Sequence, residues 1–239
     1  MSKTPPRLAV TRIASQFYCE KKLELELIFG RKPNLKMRLG TQGHSYQIKD
    51  KESIPRKKLL EIINQGEKID AFEFFLSGDY HNFRISGRTD GVKFHNRIPI
   101  FLWDYKFSGN DKIEKHHTVQ TALYCYLLQN HEFDTSKLKY AVIKLPFATR
   151  NSSEIINIHN SIFEKLEKDI ILIKTSSGNI KTYVYSFDEK SIIKDLDWAL
   201  QYWNKEREAI PTTDSKKCTN CRFNGKDPSE YTCEFSQVI

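Results

Sequence analysis

Between residues 71 and 107 the chain sets three extended runs almost end to end: "AFEFFLSG", "NFRISGRTDGVKF" and "IPIFLWDYKF". All three are rich in aromatic and β-branched residues, which suit strands. "FHNRI" is polar and short enough to turn the last two into a hairpin. Two later runs, "KYAVIKL" (139–145) and "KTYVYSF" (181–187), also read as strands. Helical patterns surround them. Residues 11–30 offer Thr11 or Ser15 as a start cap and Gly30 as an end. Residues 54–66 repeat that signature with Pro55 and Gly66. Residues 116–130 place Val119, Leu123, Tyr126 and Leu127 at core spacing. Residues 188–209 align Ile192, Leu196, Ala199, Leu200 and Trp203 on one side. Residues 146–160 read as a loop, and 161–174 as a helix whose "IILI" fits a strand equally well. The pattern predicts a single α/β domain clasped by a C-terminal appendage.

The 239 residues, 39% hydrophobic, suffice for one sizeable core. A net charge of +8 and a pI near 9.1 favour a polyanionic partner such as nucleic acid. No segment approaches the roughly 18 apolar residues of a membrane span, and the first residues lack the apolar core of a secretory signal. A cytoplasmic location without a membrane partner is therefore expected. In that reducing setting the five cysteines are not a disulfide set. Three of them, Cys218, Cys221 and Cys233, crowd the end of the chain, the mark of a metal or cluster site.

Asp104 and Lys106 lie two apart at the end of an apolar run, so they share one face of a strand. A surface ion pair would explain that much. Asp90, however, sits on the other arm of the expected hairpin, close enough across the strands to approach Asp104. Two carboxylates held close repel unless a cation lies between them. Mg²⁺ takes oxygen ligands and suits phosphate chemistry, and a lysine beside it can orient water or stabilise a charged phosphorus centre. His44 is a candidate third ligand, and imidazole suits Mn²⁺ better than Mg²⁺. A lone histidine beside glycine also reads as a cap or surface residue. Gln120 and Tyr124, four apart, share a helix face, as does any half-buried helix edge.

In order, the chain carries His44, then Gly87–Arg88–Thr89–Asp90, then Asp104–Tyr105–Lys106, then Gln120–Thr121–Ala122–Leu123–Tyr124. This succession resembles the RecB-type nucleases of the PD-(D/E)xK superfamily, with their His, G-x-x-D, (D/E)-x-K and Q-x-x-x-Y elements. The resemblance implies a restriction-endonuclease-like mixed sheet flanked by helices. It also implies that His44, Asp90, Asp104 and the Tyr105 carbonyl are ligands of Mn²⁺ or Mg²⁺. Lys106 would be the catalytic lysine, with Gln120 and Tyr124 facing the substrate channel.

Three thiolates need a fourth ligand to close a site. The candidates are Cys19 and Cys125, and Cys125 lies in an apolar helix as a small hydrophobe. One Cys before the nuclease motifs and three after them resembles the iron–sulfur subgroup of RecB-type nucleases, which includes the fourth family of CRISPR-associated proteins. "FYCEKKLEL" is similar to that family's first-Cys segment. The resemblance implies a [4Fe-4S] cluster on Cys19, Cys218, Cys221 and Cys233, with structural zinc as the alternative. It divides the chain into an N-terminal segment (1–36), a nuclease core (37–210) and an iron–sulfur segment (211–239). Cys221 and Cys233 are further apart than the family's last pair, and 146–178 reads as an insertion. The implied function is a DNA exonuclease, also able to cut single strands or flaps, acting on single-stranded or free-ended DNA and serving CRISPR spacer acquisition beside adaptation proteins. The alternatives are a repair or recombination exonuclease outside CRISPR and a non-catalytic nucleic-acid-binding module with a zinc clasp. Arg12, Lys21, Lys22, Arg31, Lys32, Lys36 and Arg38 are candidate phosphate contacts.

Overall fold

The structure is a computed structural model that describes residues 5–33, 35–48, 55–108, 112–146, 157–158, 160–162, 164–165, 174–177, 180–227 and 229–236. A short strand, β1 (Arg7–Ala9), runs straight into helix α1 (Val10–Phe29). Helices α2 (Leu35–Ile48) and α3 (Arg56–Gln65) follow, then the meander β2 (Ile69–Tyr80), β3 (Phe83–His95) and β4 (Ile98–Phe107). Helix α4 (Lys115–Asn130) leads to β5 (Lys139–Leu145), and β6 (Lys174–Ser177) and β7 (Ile180–Ser186) complete the sheet. Helices α5 (Glu189–Trp203) and α6 (Ser215–Thr219) end the order. The sheet is mixed and seven-stranded, running β1-β3-β4-β5-β7-β6, with β2 on the free side of β3. Strand β4 pairs antiparallel with β3 and parallel with β5, so α4 is the crossover between β4 and β5. This is the mixed α/β fold expected from the strand and helix pattern.

Each face of the sheet has its own core. The larger one gathers Val10 and Ile13 of α1, Leu123, Tyr124 and Leu127 of α4, and Leu196 and Leu200 of α5 over Ile85, Val92 and Leu102. The other gathers Phe101, Trp103, Tyr105 and Phe107 of β4 with Ile143 and Ile180. Alternate residues of β4 thus feed opposite faces. Asp104 and Lys106 fall on the α4 side, with Leu102.

Several expectations need correction. Neither Thr11 nor Ser15 caps α1: Ala9 holds that position without a side-chain hydrogen bond, and Ser15 Oγ donates back to the Thr11 carbonyl. Helix α1 is also broken at Cys19, whose backbone is extended (φ −172°, ψ 113°). Helix α2 lies where no helix was expected. Gly66 ends α3 as expected, in the left-handed conformation (φ 83°) that glycine adopts freely. The amphipathic helix expected over 188–209 stops at Trp203, and Lys205 turns the chain with φ 61°. The expected loop 146–160 is helical at 157–158 and 160, and the expected helix 161–174 is helical at 161–162 and 164–165 but ends in a strand at Lys174. Residues 166–173, with most of the expected insertion 146–178, lie outside the described residues. Among the described residues no helix is long and apolar enough to cross a membrane.

Candidate active site

Strand β3 is shared along one edge by two partners. Arg84–Ser86 pair with β1, and Gly91–His95 pair with β4. The stretch between, Gly87–Asp90, is left without a ladder on that edge, and there the strands part. Side chains replace the missing backbone bonds. The Tyr105 N–H donates to Asp90 Oδ2 at 2.6 Å, and Thr89 Oγ1, fully buried, donates to the Trp103 carbonyl at 3.4 Å. Register therefore fixes the carboxylate of Asp90 against the backbone next to Asp104. Gly87 keeps the opening narrow, since a Cβ there would stand 2.8 Å from the Tyr124 ring.

Helix α4 lies over this opening and delivers Gln120 and Tyr124. Lys106 Nζ donates to Gln120 Oε1 at 2.8 Å, and Gln120 Nε2 donates to Asp104 Oδ1 at 3.1 Å and, more weakly, to Tyr124 Oη at 3.5 Å. Lys106 Nζ is also 2.6 Å from Asp104 Oδ2. Helix α2 brings in His44, whose Nδ1 is 3.4 Å from Asp90 Oδ1 and whose ring meets Phe107 edge-on. Gly43 permits that approach, because a Cβ would sit 2.5 Å from the Phe107 ring. His44, Asp90, Asp104, Lys106, Gln120 and Tyr124 are thus brought together. Tyr105 turns its ring to the opposite core, and its backbone lies between the two carboxylates.

Burial sets the electrostatics. Asp104 is 2% exposed. Desolvation raises its carboxyl to about 6; Asp90 adds to the rise, while Lys106 and His44 oppose it. Burial alone would depress His44, but its contact with Asp90 and the charges of Asp90 and Asp104 outweigh that, so its pKa is raised. Tyr124 is driven upward by burial and by Asp104, so its hydroxyl keeps its proton. Among the described residues no three His, Cys, Asp or Glu side chains converge closely enough to hold an ion as they stand. The donor set nonetheless suits a hard divalent cation. Two carboxylates and an imidazole face one opening, and the buried Asp104 Oδ2 is held by the Lys106 ammonium at 2.6 Å.

Glu73 was not anticipated. The register pairs Phe72 with Gly91 and Phe74 with Thr89, which puts Glu73 directly opposite Asp90. The trace it leaves in the sequence is faint. In "AFEFFL" Ala71 and Phe74 both enter the larger core, so the two-residue alternation slips once between them.

The four cysteines expected to act together border one pocket, though they do not stand closely enough to hold an ion. Cys19, Cys218, Cys221 and Cys233 line this small pocket, with Tyr18, Lys22, Leu25 and Phe223. The break in α1 turns Cys19 toward it, and the Lys22 N–H approaches Cys19 Sγ at 3.4 Å. Burial raises the Cys221 and Cys233 thiols, and their thiol neighbours push the same way. Cys125 is apart from them, fully buried in the larger core. Of the basic residues read as phosphate contacts, Lys21 pairs with Glu24 and Glu234, Lys22 with Glu26, and Lys32 with Glu230.

Residues 20–225 match the family model of the PD-(D/E)XK nuclease superfamily. The chain is similar to Exonuclease V of Danio rerio, 23% identical over 287 aligned positions that cover 95% of this chain and 70% of that protein. It is also similar to the mitochondrial Exonuclease V of Candida albicans strain WO-1, 26% identical over 82 residues, 34% of this chain and 13% of that one. Among solved structures, the one titled "Crystal structure of SSO0001" covers 97% of this chain and 91% of its own at 16% identity and a TM-score of 0.43, a likeness too loose to carry an argument.

Proposed function

Since this chain belongs to the PD-(D/E)XK nuclease superfamily, we propose that it is a divalent-metal-dependent deoxyribonuclease that trims DNA from its ends, an exonuclease. The observation that carries the reading is the closed set Asp104–Lys106–Gln120 facing Asp90 across the parted strands. His44, Asp90, Asp104 and the Tyr105 carbonyl would hold Mg²⁺ or Mn²⁺. When bound, that ion supplies an activated water and neutralises charge on the phosphate. Gln120 holds the Lys106 ammonium beside the carboxylates, where it can stabilise charge developing at phosphorus. The Tyr124 hydroxyl, kept protonated, acts as a hydrogen-bond donor. Cys19, Cys218, Cys221 and Cys233 would hold a [4Fe-4S] cluster, supported by their common cavity; structural zinc is the alternative. The cluster would tie the N-terminal segment 1–36 to the C-terminal segment 211–239 around the nuclease core. Work at single-stranded or free DNA ends outside CRISPR is favoured by the similarity to proteins named Exonuclease V, and a part in spacer acquisition ranks behind it.

The test uses anaerobically purified protein with end-labelled linear and circular single-stranded DNA, with Mn²⁺ or Mg²⁺ or with a chelator. Linear DNA should shorten only with the metal. Asp104→Asn should slow shortening by roughly a hundredfold or more while leaving the melting temperature near that of the parent. Undiminished cutting by Asp104→Asn would overturn the site assignment, and equal cutting of circles would overturn the exonuclease reading.

A further inference from the structure

Among the described residues, six other than glycine have positive φ, and Glu73, at 49°, is the one that lies inside a strand. The others fall at the turns and helix ends, where such a backbone is ordinary. A glutamate in this conformation is strained, and strain of this kind persists where the surroundings insist on it. Here the consequence is visible in the pairing. The ladder between β2 and β3 keeps one register on both sides of Glu73, with Phe72 opposite Gly91 and Phe74 opposite Thr89, yet Glu73 and Asp90 make no backbone bridge. The slip lets Phe74 enter the core as Ala71 does, three residues before it. Burial raises the Glu73 carboxyl and the Asp90 charge adds to the rise, so two carboxylates stand within electrostatic reach of each other. Arg88 Nη1 donates to the Glu73 carbonyl at 3.2 Å, and its charge offsets only part of the rise that burial and Asp90 impose on the Glu73 carboxyl. Glu73 lies within electrostatic reach of Asp90, His44 and the Tyr124 hydroxyl, the groups that face the same opening.

The slip seats Phe74 in the core, but packing alone does not require a carboxylate at the strained position. The chain could relieve both strain and repulsion with glycine. We infer that Glu73 is a further acidic residue of the cation site, holding a divalent metal ion together with Asp90 from across the β2–β3 ladder. It binds the ion directly or through a water of the ion's own shell. The inference rests on the metal-dependent reading above and adds a residue to it.

The experiment titrates Mn²⁺ into the full-length protein, purified anaerobically with the metal of its thiols retained and stripped of exchangeable divalent ions, without DNA, following free Mn²⁺ by electron paramagnetic resonance. Three proteins are compared: the parent, Glu73→Gly and Glu73→Asn. Asparagine tolerates the left-handed region and carries no charge. Both variants should bind Mn²⁺ roughly 10-fold to 100-fold more weakly. Glu73→Gly, freed of strain, should melt at the parent's temperature or above it without Mn²⁺. A merely structural glutamate would move the melting temperature and leave the Mn²⁺ affinity alone. Parent-like affinity in either folded variant would overturn the inference while the metal-dependent reading stands. A parent that binds no Mn²⁺ would overturn both. Failure of both variants to fold would also overturn it, because the side chain would then be needed for the fold itself.

Discussion

The catalytic opening and the cysteine clasp are assembled by opposite means. Three elements of the opening, β3, β4 and α4, are locked by ladder register and by a core in which Val92, Leu102 and Leu123 are fully buried. Asp90, Asp104 and Lys106 are therefore placed by backbone geometry before any side-chain contact forms. The clasp has little of this. Residues 211–236 contain one five-residue helix, and Phe223 is their one fully buried large side chain among the described residues. Ion pairs hold them to α1 and the segment after it: Lys21 with Glu234, and Lys32 with Glu230, which also takes Arg222. Exposed pairs contribute little. A buried anchor lies just upstream, where Glu20, fully buried, accepts from Arg207 Nη2 at 2.8 Å and from the Ile210 N–H at 2.9 Å. Beyond that anchor, whatever the four thiols bind must supply the stability that the core supplies elsewhere.

The sharpest way to break this contrast is to remove a thiol. In Cys19→Ser the clasp should lose its metal, and a limited digest should cleave first within 211–236 while the sheet persists. The cross-link spans most of the chain, so its loss should cost about 2–4 kcal/mol in urea unfolding. Cys125→Ser, in the larger core, should keep the metal. Iron and zinc assays on both variants decide the matter: metal retained by Cys19→Ser, or lost by Cys125→Ser, would remove the clasp from the account.

The same contrast governs what could be read from the amino-acid sequence. The opening was legible because its residues fall at strand ends and on one helix face, where spacing of two or four dictates direction. Helix α2 was not. Its "LKMRLGTQGHSYQI" carries two glycines and no apolar stripe, and it is held by the contact of Gly43 with Phe107, which is tertiary and invisible locally. Strand β1, three residues long, lies below the length at which alternation signals anything. The end of α5 was overestimated because the charged run Lys205–Glu208 after Trp203 contains good helix formers and no glycine or proline. Buried Glu20 draws Arg207 out of helical register, and Arg207 stacks on Trp198 at 4.3 Å. The break at Cys19 and the strain at Glu73 are alike in kind. Each departs from the conformation of the element around it, an extended residue inside a helix and a left-handed one inside a strand, and neither departure shows plainly in the periodicity of the sequence.

A smaller effect should appear in acid, at the seam between the two regions. His116 and His117 begin α4 beneath the clasp. Burial depresses His116 to about 3, with Lys106, Lys217, Lys144 and Lys22 adding to it, and burial with His116 and Lys106 depresses His117 to about 2. Glu114, 3.6 Å from His116 Nδ1, is the carboxylate facing it. The folded-state values lie below the unfolded one, so the unfolded chain takes up protons that the fold refuses. Stability should therefore fall as pH drops from about 6.5 toward 3. For His116 the loss by pH 5 should reach up to about 2 kcal/mol. Urea melts at pH 7 and pH 5 without divalent ions should show this slope, and His116→Gln, uncharged throughout, should remove the share of His116 and leave that of His117. An equally steep slope in that variant would place the acid sensitivity elsewhere.

The smallest effect concerns the one ion pair described between the tail of the clasp and the start of the catalytic helix. Lys217 Nζ lies 3.2 Å from Glu114 Oε2 and 4.7 Å above the Tyr18 ring. Glu114 in turn forms a capping box with His117 at the start of α4. If opening and clasp are separately stabilised, this link should carry only its own pairwise energy. Lys217→Met and Glu114→Gln should each cost about 1 kcal/mol or less, and their double-mutant coupling should fall between about 0.2 and 1 kcal/mol. The cap complicates Glu114→Gln, but glutamine still accepts a hydrogen bond, so the cycle mainly isolates the charge. Both side chains are about one-fifth exposed, 18% and 21%, which keeps solvent screening in play and argues for the lower part of the range. A coupling well above 1 kcal/mol, together with slower DNA shortening by Lys217→Met, would mean that the clasp holds the catalytic helix in place. The two regions would then unfold and work as one, and the contrast drawn between them would fail.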